Sequence, residues 1–140
     1  MKTLQILAAV ALAALCAGAL FAADVKVIVN PSVGASAVTA DELKGVFLGT
    51  KTSLSDGSRV EPVLMKTGPA HASFLKEYVG KTEAALETYY RSLVFTGKGN
   101  MPKTLASDAE MVAYVAKTKG AIGYVSAAAA TAGVKTLDVK

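Results

Sequence analysis

The sequence predicts an α/β domain with one small central sheet and helices on both faces. Three observations predict it. Short apolar runs with β-branched residues recur along the chain, as in Val25–Val29 and Ala121–Val125. Stretches with helical spacing separate them, two opening on a Thr or Ser with Glu three residues later. Glycine ends most of those stretches. Strands alternating with helical segments bury their apolar surface by layering helices on a sheet.

Asp24 to Asn30, reading DVKVIVN, alternates and then turns apolar, the pattern of a buried strand. Asn30-Pro31-Ser32 breaks it. A helix opens at Thr39 with Glu42 completing a capping box, each side chain accepting from the other's free backbone N–H. Leu43, Val46 and Phe47 form its inward face and Gly49 stops it. Ser55-Asp56-Gly57 is a turn, and Val60 to Met65 a second strand. Gly68-Pro69 starts another helix, with proline in the first turn where its missing N–H costs nothing. Phe74 with Tyr78 and Leu75 with Val79 give apolar i, i+4 pairs before Gly80. Thr82 begins a longer helix in which Leu86, Tyr89, Tyr90, Leu93 and Val94 keep helical spacing. Gly97-Lys98-Gly99-Asn100 is a loop, and Ser107 with Glu110 a second capping box for a helix ending at Gly120. Ala121 to Val125 is a short buried strand, Ser126 introduces an alanine turn or helix ending at Gly133, and Lys135 to Val139 is the last strand.

The N-terminus sets the compartment. Lys2, an apolar run from Ile6 to Leu20 and small residues up to Ala23 precede the first acidic residue, Asp24. That order is a secretory signal peptide. Cleavage fits after Ala19, Ala22 or Ala23; the last divides the chain into a signal over 1–23 and a domain over 24–140. An uncleaved anchor is the competing reading, since Leu4 to Ala23 nearly spans a bilayer, but alanine makes the run only mildly apolar. Leu15 stands where a lipoprotein signal needs a small residue before Cys16. The expected location is the periplasm or the exterior. Cys16, the sole cysteine, leaves with the signal, so disulfides, thiol chemistry and cysteine-held metal are excluded from the mature domain.

The formal charge is +4, a mild excess that suits small anions, and there is no basic run with interleaved aromatics, which disfavours nucleic acid. One histidine and no HExxH or GxSxG arrangement leave no nucleophile–base pair, so the chain is not expected to be an enzyme or to use a cofactor or metal. Asp41, Glu42, Asp108 and Glu110 are helix-start charges, and Tyr89, Tyr90 and Tyr114 are packing residues.

Four stretches, in order, resemble the PstS family, the substrate-binding proteins of ABC-type phosphate transporters. Leu43 to Lys51 resembles that family's helix and "LGK" turn, and Val60 to Lys66 its strand leading to the anion loop. Gly97 to Asn100 matches a glycine-rich loop, and Gly120-Ala121-Ile122-Gly123-Tyr124-Val125 the "GAIGYV" strand. The resemblance implies a type 2 periplasmic-binding-protein fold, but only one three-layer lobe of the two that close on phosphate.

It also implies a candidate anion site. Where the family carries an arginine and then a Gly-Ser-Gly-Thr run opening a helix, this chain has Lys66-Thr67-Gly68-Pro69-Ala70-His71-Ala72-Ser73-Phe74. Lys66 stands at about the arginine position, and Ala70 and Ala72 replace the hydroxyl donors. The unpaired amides of a first helical turn attract anions. Lys66 adds a point charge without arginine's fork. Thr67 and Ser73 can donate hydroxyls, Gly68 makes the turn, and His71 is expected to face solvent. Gly97, Lys98, Gly99 and Asn100 form a secondary loop without the GK[ST] of a nucleotide P-loop, its glycines serving tight turns. Hydrogen bonds to charged groups contribute about 1.5–3 kcal/mol each, and a micromolar site needs roughly 8 kcal/mol. Losing two hydroxyls, the fork and a facing lobe leaves millimolar binding or none, unless a second copy or a partner completes the site. Two functions follow: a solute-binding module for phosphate or a similar oxyanion, serving a membrane transporter or sensor, or a ligand-free envelope interaction or sensory module that keeps only the fold.

Overall fold

The computed structural model describes residues 25–140; the signal-peptide reading falls on residues outside them. The elements are β1 (Val25–Val29), β2 (Ala37–Val38), α1 (Ala40–Phe47), β3 (Glu61–Met65), α2 (Pro69–Phe74), a π-helical turn (Leu75–Val79), α3 (Glu83–Phe95), β4 (Lys103–Leu105), α4 (Asp108–Lys117), β5 (Ala121–Ser126) and β6 (Lys135–Val139). Six strands form one mixed sheet in the order β2-β6-β1-β5-β3-β4. β1 is antiparallel to both β5 and β6, whereas β3 runs parallel to β5 and β4, and β2 parallel to β6.

Register divides the two faces. Val27 lies opposite Tyr124 and Ile28 opposite Gly123, and directly paired residues share a face while neighbours along a strand alternate. On the Tyr124 face Phe74 stacks at 3.9 Å and Phe47 meets the ring edge at 5.8 Å, so α1 and α2 cover that side. On the other face α4 closes on Gly123, where a Cβ would stand 2.5 Å from Met111 Sδ. This is the three-layer arrangement expected from the alternation of strands and helices. The largest fully buried side chains are Tyr124, Phe47, Phe74 and Ile28.

The cap at α1 is the reciprocal box: Glu42 N–H donates to Thr39 Oγ1, and Thr39 N–H to Glu42 Oε2. At α4 only half forms. Ser107 Oγ accepts from Glu110 N–H at 3.2 Å, but the Glu110 carboxylate takes the Ala106 N–H. The segment after Ser126 is a turn rather than a helix. In α3, Leu86 and Tyr90 are buried, but Val94, which shares their spacing, is 47% exposed. That side chain lies on the wall of an open cleft shared with Met101, so helical spacing alone does not carry it into the core. Two features escape the sequence pattern. β2 and β4 are too short to show alternation, and the helix begun at Pro69 widens after Phe74 into a turn closed by Gly80 N–H to Leu75 O at 2.6 Å. That widening puts Phe74, Leu75 and Val79 together in the core.

Candidate functional site

β3 ends at Met65, and the chain turns through Lys66, Thr67 and Gly68 into α2. The Lys66 backbone still belongs to the sheet, its N–H donating to Leu105 O at 2.8 Å, while its side chain and that of Thr67 are exposed. Gly68 adopts φ 114° and ψ 169°, a conformation essentially restricted to glycine. Backbone shape is the reason for glycine here, because a Cβ would meet nothing within 4 Å. Pro69 takes the first helical position and Ala72 N–H closes on Gly68 O at 3.0 Å. No side chain caps this start. The N–H groups of Ala70 and His71 are thus left to outside acceptors, as first-turn amides are. Ser73 follows half-buried on the next turn.

His71 is where the structure departs from the sequence reading: it is buried, 5% exposed, not solvent-facing. The cause is the close packing of α2 on β5, which lays the imidazole over Tyr124 with ring planes 10° apart. His71 Nδ1 lies 2.5 Å from Tyr124 Oη, and the same oxygen accepts from Met65 N–H at 2.9 Å. The other ring nitrogen, Nε2, faces Glu83 Oε1 at 3.6 Å. Burial pushes the His71 pKa down, with the Glu83 charge opposing it, so the ring is neutral at pH 7. Burial likewise pushes the Tyr124 hydroxyl up, with the Met65 amide opposing, and keeps it protonated.

The secondary loop is used differently. Gly97 N–H donates to Val94 O and Lys98 N–H to Leu93 O, the paired bonds that close a helix ending in a left-handed glycine. Gly97 has φ 72°. Those two amides are committed to ending α3, and Gly99 packs on Leu93. The loop, through Asn100, enters β4 from the end opposite to that at which the chain leaves β3, since the two strands are parallel. The structure therefore brings Lys66, Thr67, Gly68, Ala70 and His71 into one turn, with Ser73 on the turn that follows, and does not bring Gly97 to Asn100 to it.

Tyr124 and Glu83 are the polar residues that the sequence reading missed. Tyr124 was legible only as part of an apolar strand, yet a tyrosine in a fully buried strand requires a partner for its hydroxyl. That requirement, with a single histidine in the chain, is the signal that could have joined the two. Glu83 is the first residue of α3 after the Thr82 cap, a position where an acidic side chain is ordinary and marks no partner.

A mixed sheet with helices on both faces and an uncapped helix start at a strand's C-terminal end makes one lobe of the three-layer α/β class. Solved structures of that class share the fold. They include PstS from Borrelia burgdorferi (TM-score 0.63, 14% identity, covering 84% of this chain and 47% of that one). A putative phosphate ABC transporter substrate-binding protein with bound phosphate from Clostridium perfringens matches at TM-score 0.62 and 16% identity, over 83% of this chain and 44% of that one. An ABC-type phosphate transport receptor from Vibrio cholerae matches at TM-score 0.54 and 16% identity, over 83% and 46%. The chain thus has the fold of about half of a PstS-like phosphate-binding protein and spans less than half the length of these structures. No protein-family model matches the chain, and no curated protein matches it.

Proposed function

We propose that the protein is an exported solute-binding lobe that takes phosphate or a similar small oxyanion weakly at the start of α2, and that it is not an enzyme. The observation that carries this reading is the uncapped turn after Met65: two amides, Ala70 and His71, without a side-chain acceptor, beside an exposed Lys66. Ligands of open α/β sheets gather at the carboxyl ends of strands, and the Vibrio cholerae and Clostridium perfringens neighbours are described as phosphate transport proteins. Two amides and one lysine at a solvent-open turn support binding of about 4 kcal/mol, a millimolar site. Phosphate and sulfate titrations followed by amide NMR test this. Saturable shifts of the Ala70 and His71 amides, weakened in Lys66→Ala, are expected; no shift at millimolar anion would remove the reading. The mass of the protein recovered from cells tests export, which predicts loss of residues 1–23 or of a slightly shorter leader.

One observation favours the second reading, an envelope interaction module that docks on a transporter, a sensor or a second copy. Val94, Met101 and Phe95 are exposed, Phe95 at 91%. Sizing of the purified protein and capture from envelope extract separate the two, since a monomer without partners that saturates with anion supports the first.

A further inference from the structure

Between α3 and the strands β3 and β4 lies a cleft of about 400 Å³, a volume within the range of small-molecule sites. Leu64, Leu86, Tyr90, Val94 and Met101 make its walls largely apolar. Four ionised side chains also line it, Lys66 and Arg91 against Glu83 and Glu87, and their charges cancel. Arg91 and Glu87 are paired with each other.

One polar group in this cleft is buried and lacks a partner. Tyr124 Oη accepts from Met65 N–H, so its own proton is satisfied only by donation to His71 Nδ1. The neutral imidazole then carries its proton on Nε2. That N–H belongs to a side chain only 6% exposed, lies on the cleft wall, and has Glu83 Oε1 facing it at 3.6 Å. This is too long for a hydrogen bond. Buried donors are rarely left unpaired.

We infer that the cleft binds a small, uncharged, mainly apolar molecule through a hydroxyl group that accepts from His71 Nε2–H and donates to the Glu83 carboxylate. One oxygen at ordinary hydrogen-bond distance, about 2.8 Å, from both atoms bridges a 3.6 Å gap. A carbonyl accepts but cannot donate, which sets two acceptors against each other at Glu83. A carboxylate or phosphate adds like charge there, and an ammonium offers nothing to the imidazole N–H. The cancelled charges of the lining favour a neutral body, and the walls favour an apolar one. This site is separate from the backbone amides of the α2 turn and does not depend on the oxyanion reading.

The chain has one histidine, so its ring nitrogens can be followed without ambiguity in the ¹⁵N-labelled protein. The probes are cyclohexanol, cyclohexanone, cyclohexylamine and cyclohexanecarboxylate, which share a body and differ in the polar group. The expected result is an Nε2–H tautomer in the free protein and a saturable shift with cyclohexanol, with the other three about tenfold weaker or worse. Val94→Trp, placed at a half-exposed position on the rim, fills the cleft and abolishes the response while the amide spectrum stays folded. An Nδ1–H tautomer, an equal response to the carboxylate, saturation that survives Val94→Trp, or no response to any probe (solvent alone serving the imidazole) would each overturn the inference. A phosphate response at the Ala70 and His71 amides with no ring response to cyclohexanol also overturns it while leaving the oxyanion reading intact.

Discussion

Asn30 and His71 are buried polar side chains, and each joins elements that the chain separates widely. Asn30 follows β1, and its side-chain amide donates to Val115 O at 2.8 Å and Ala116 O at 3.1 Å, while its Oδ1 accepts from Ser32 N–H at 2.8 Å. One side chain thus satisfies the last carbonyls of α4 and fixes the turn that leaves β1. In the sequence the residue reads only as the end of a strand before proline, because the partners that give it meaning lie 85 residues away. Asn30→Ala removes three bonds and strands a buried carbonyl. At about 1 kcal/mol per net bond, with 1–3 kcal/mol for an unsatisfied buried group, the expected loss is about 2–3 kcal/mol. Asn30→Asp should cost more, since it sets a carboxylate against two carbonyls. Urea denaturation measures both, and a loss under about 1 kcal/mol for Asn30→Ala would show that solvent replaces the amide.

At the scale of elements, what was legible is what is local. The capping box at Thr39, the proline start at Pro69, the cap at Thr82 and the stops at Gly49 and Gly80 all appear where the sequence places them, because each depends on residues within one turn of the others. The half-formed box at Ser107 shows the limit, since its Glu110 finds a different amide one residue upstream. β2 and β4 exist only through their neighbours, and the π-helical turn only through the core that it fills. The Thr39 box also reaches outside its helix: Glu42 Oε1 accepts from Ser55 N–H at 2.7 Å, tying α1 to the loop before β3. The Thr39 amide, then Ser55, hold the Glu42 carboxyl down to about 2. A carboxylate held below its unfolded value stabilises the fold above pH of about 4.5 and loses that contribution as pH falls toward about 2. Glu42→Ala should therefore cost about 1 kcal/mol at neutral pH, a figure kept small because the group is partly exposed. The gap between variant and parent should close in acid. Thermal unfolding of both proteins between neutral pH and pH of about 2 follows it; a gap that stays constant would mean that packing, not charge, supplies the effect.

At the scale of the molecule, the class of fold was readable from alternation, but the sheet was not. β1 lies between β5 and β6, so the first strand is held by the last two, and pairings between chain ends leave no mark in local pattern. The same non-locality hid the His71–Tyr124 contact, 53 residues apart, and made the histidine look like a surface residue. It also gives β6 a disproportionate role. β6 pairs with β1 through Val27 opposite Leu137, is the sole partner of β2 among the described residues, and leads into Lys140, whose carbonyl accepts the Ala40 N–H at the start of α1. Removing residues 134–140 would strip one ladder from the central β1, release β2, and leave a long apolar strand edge of the kind that pairs with other chains. The expected outcome is loss of a cooperative unfolding transition and concentration-dependent association, seen by circular dichroism and sizing. Truncation that kept a sharp transition would mean that β1, β5 and β3 form a self-sufficient core. Such a core would still hold Met65, Tyr124 and His71 in place, and both binding tests could then be run on it.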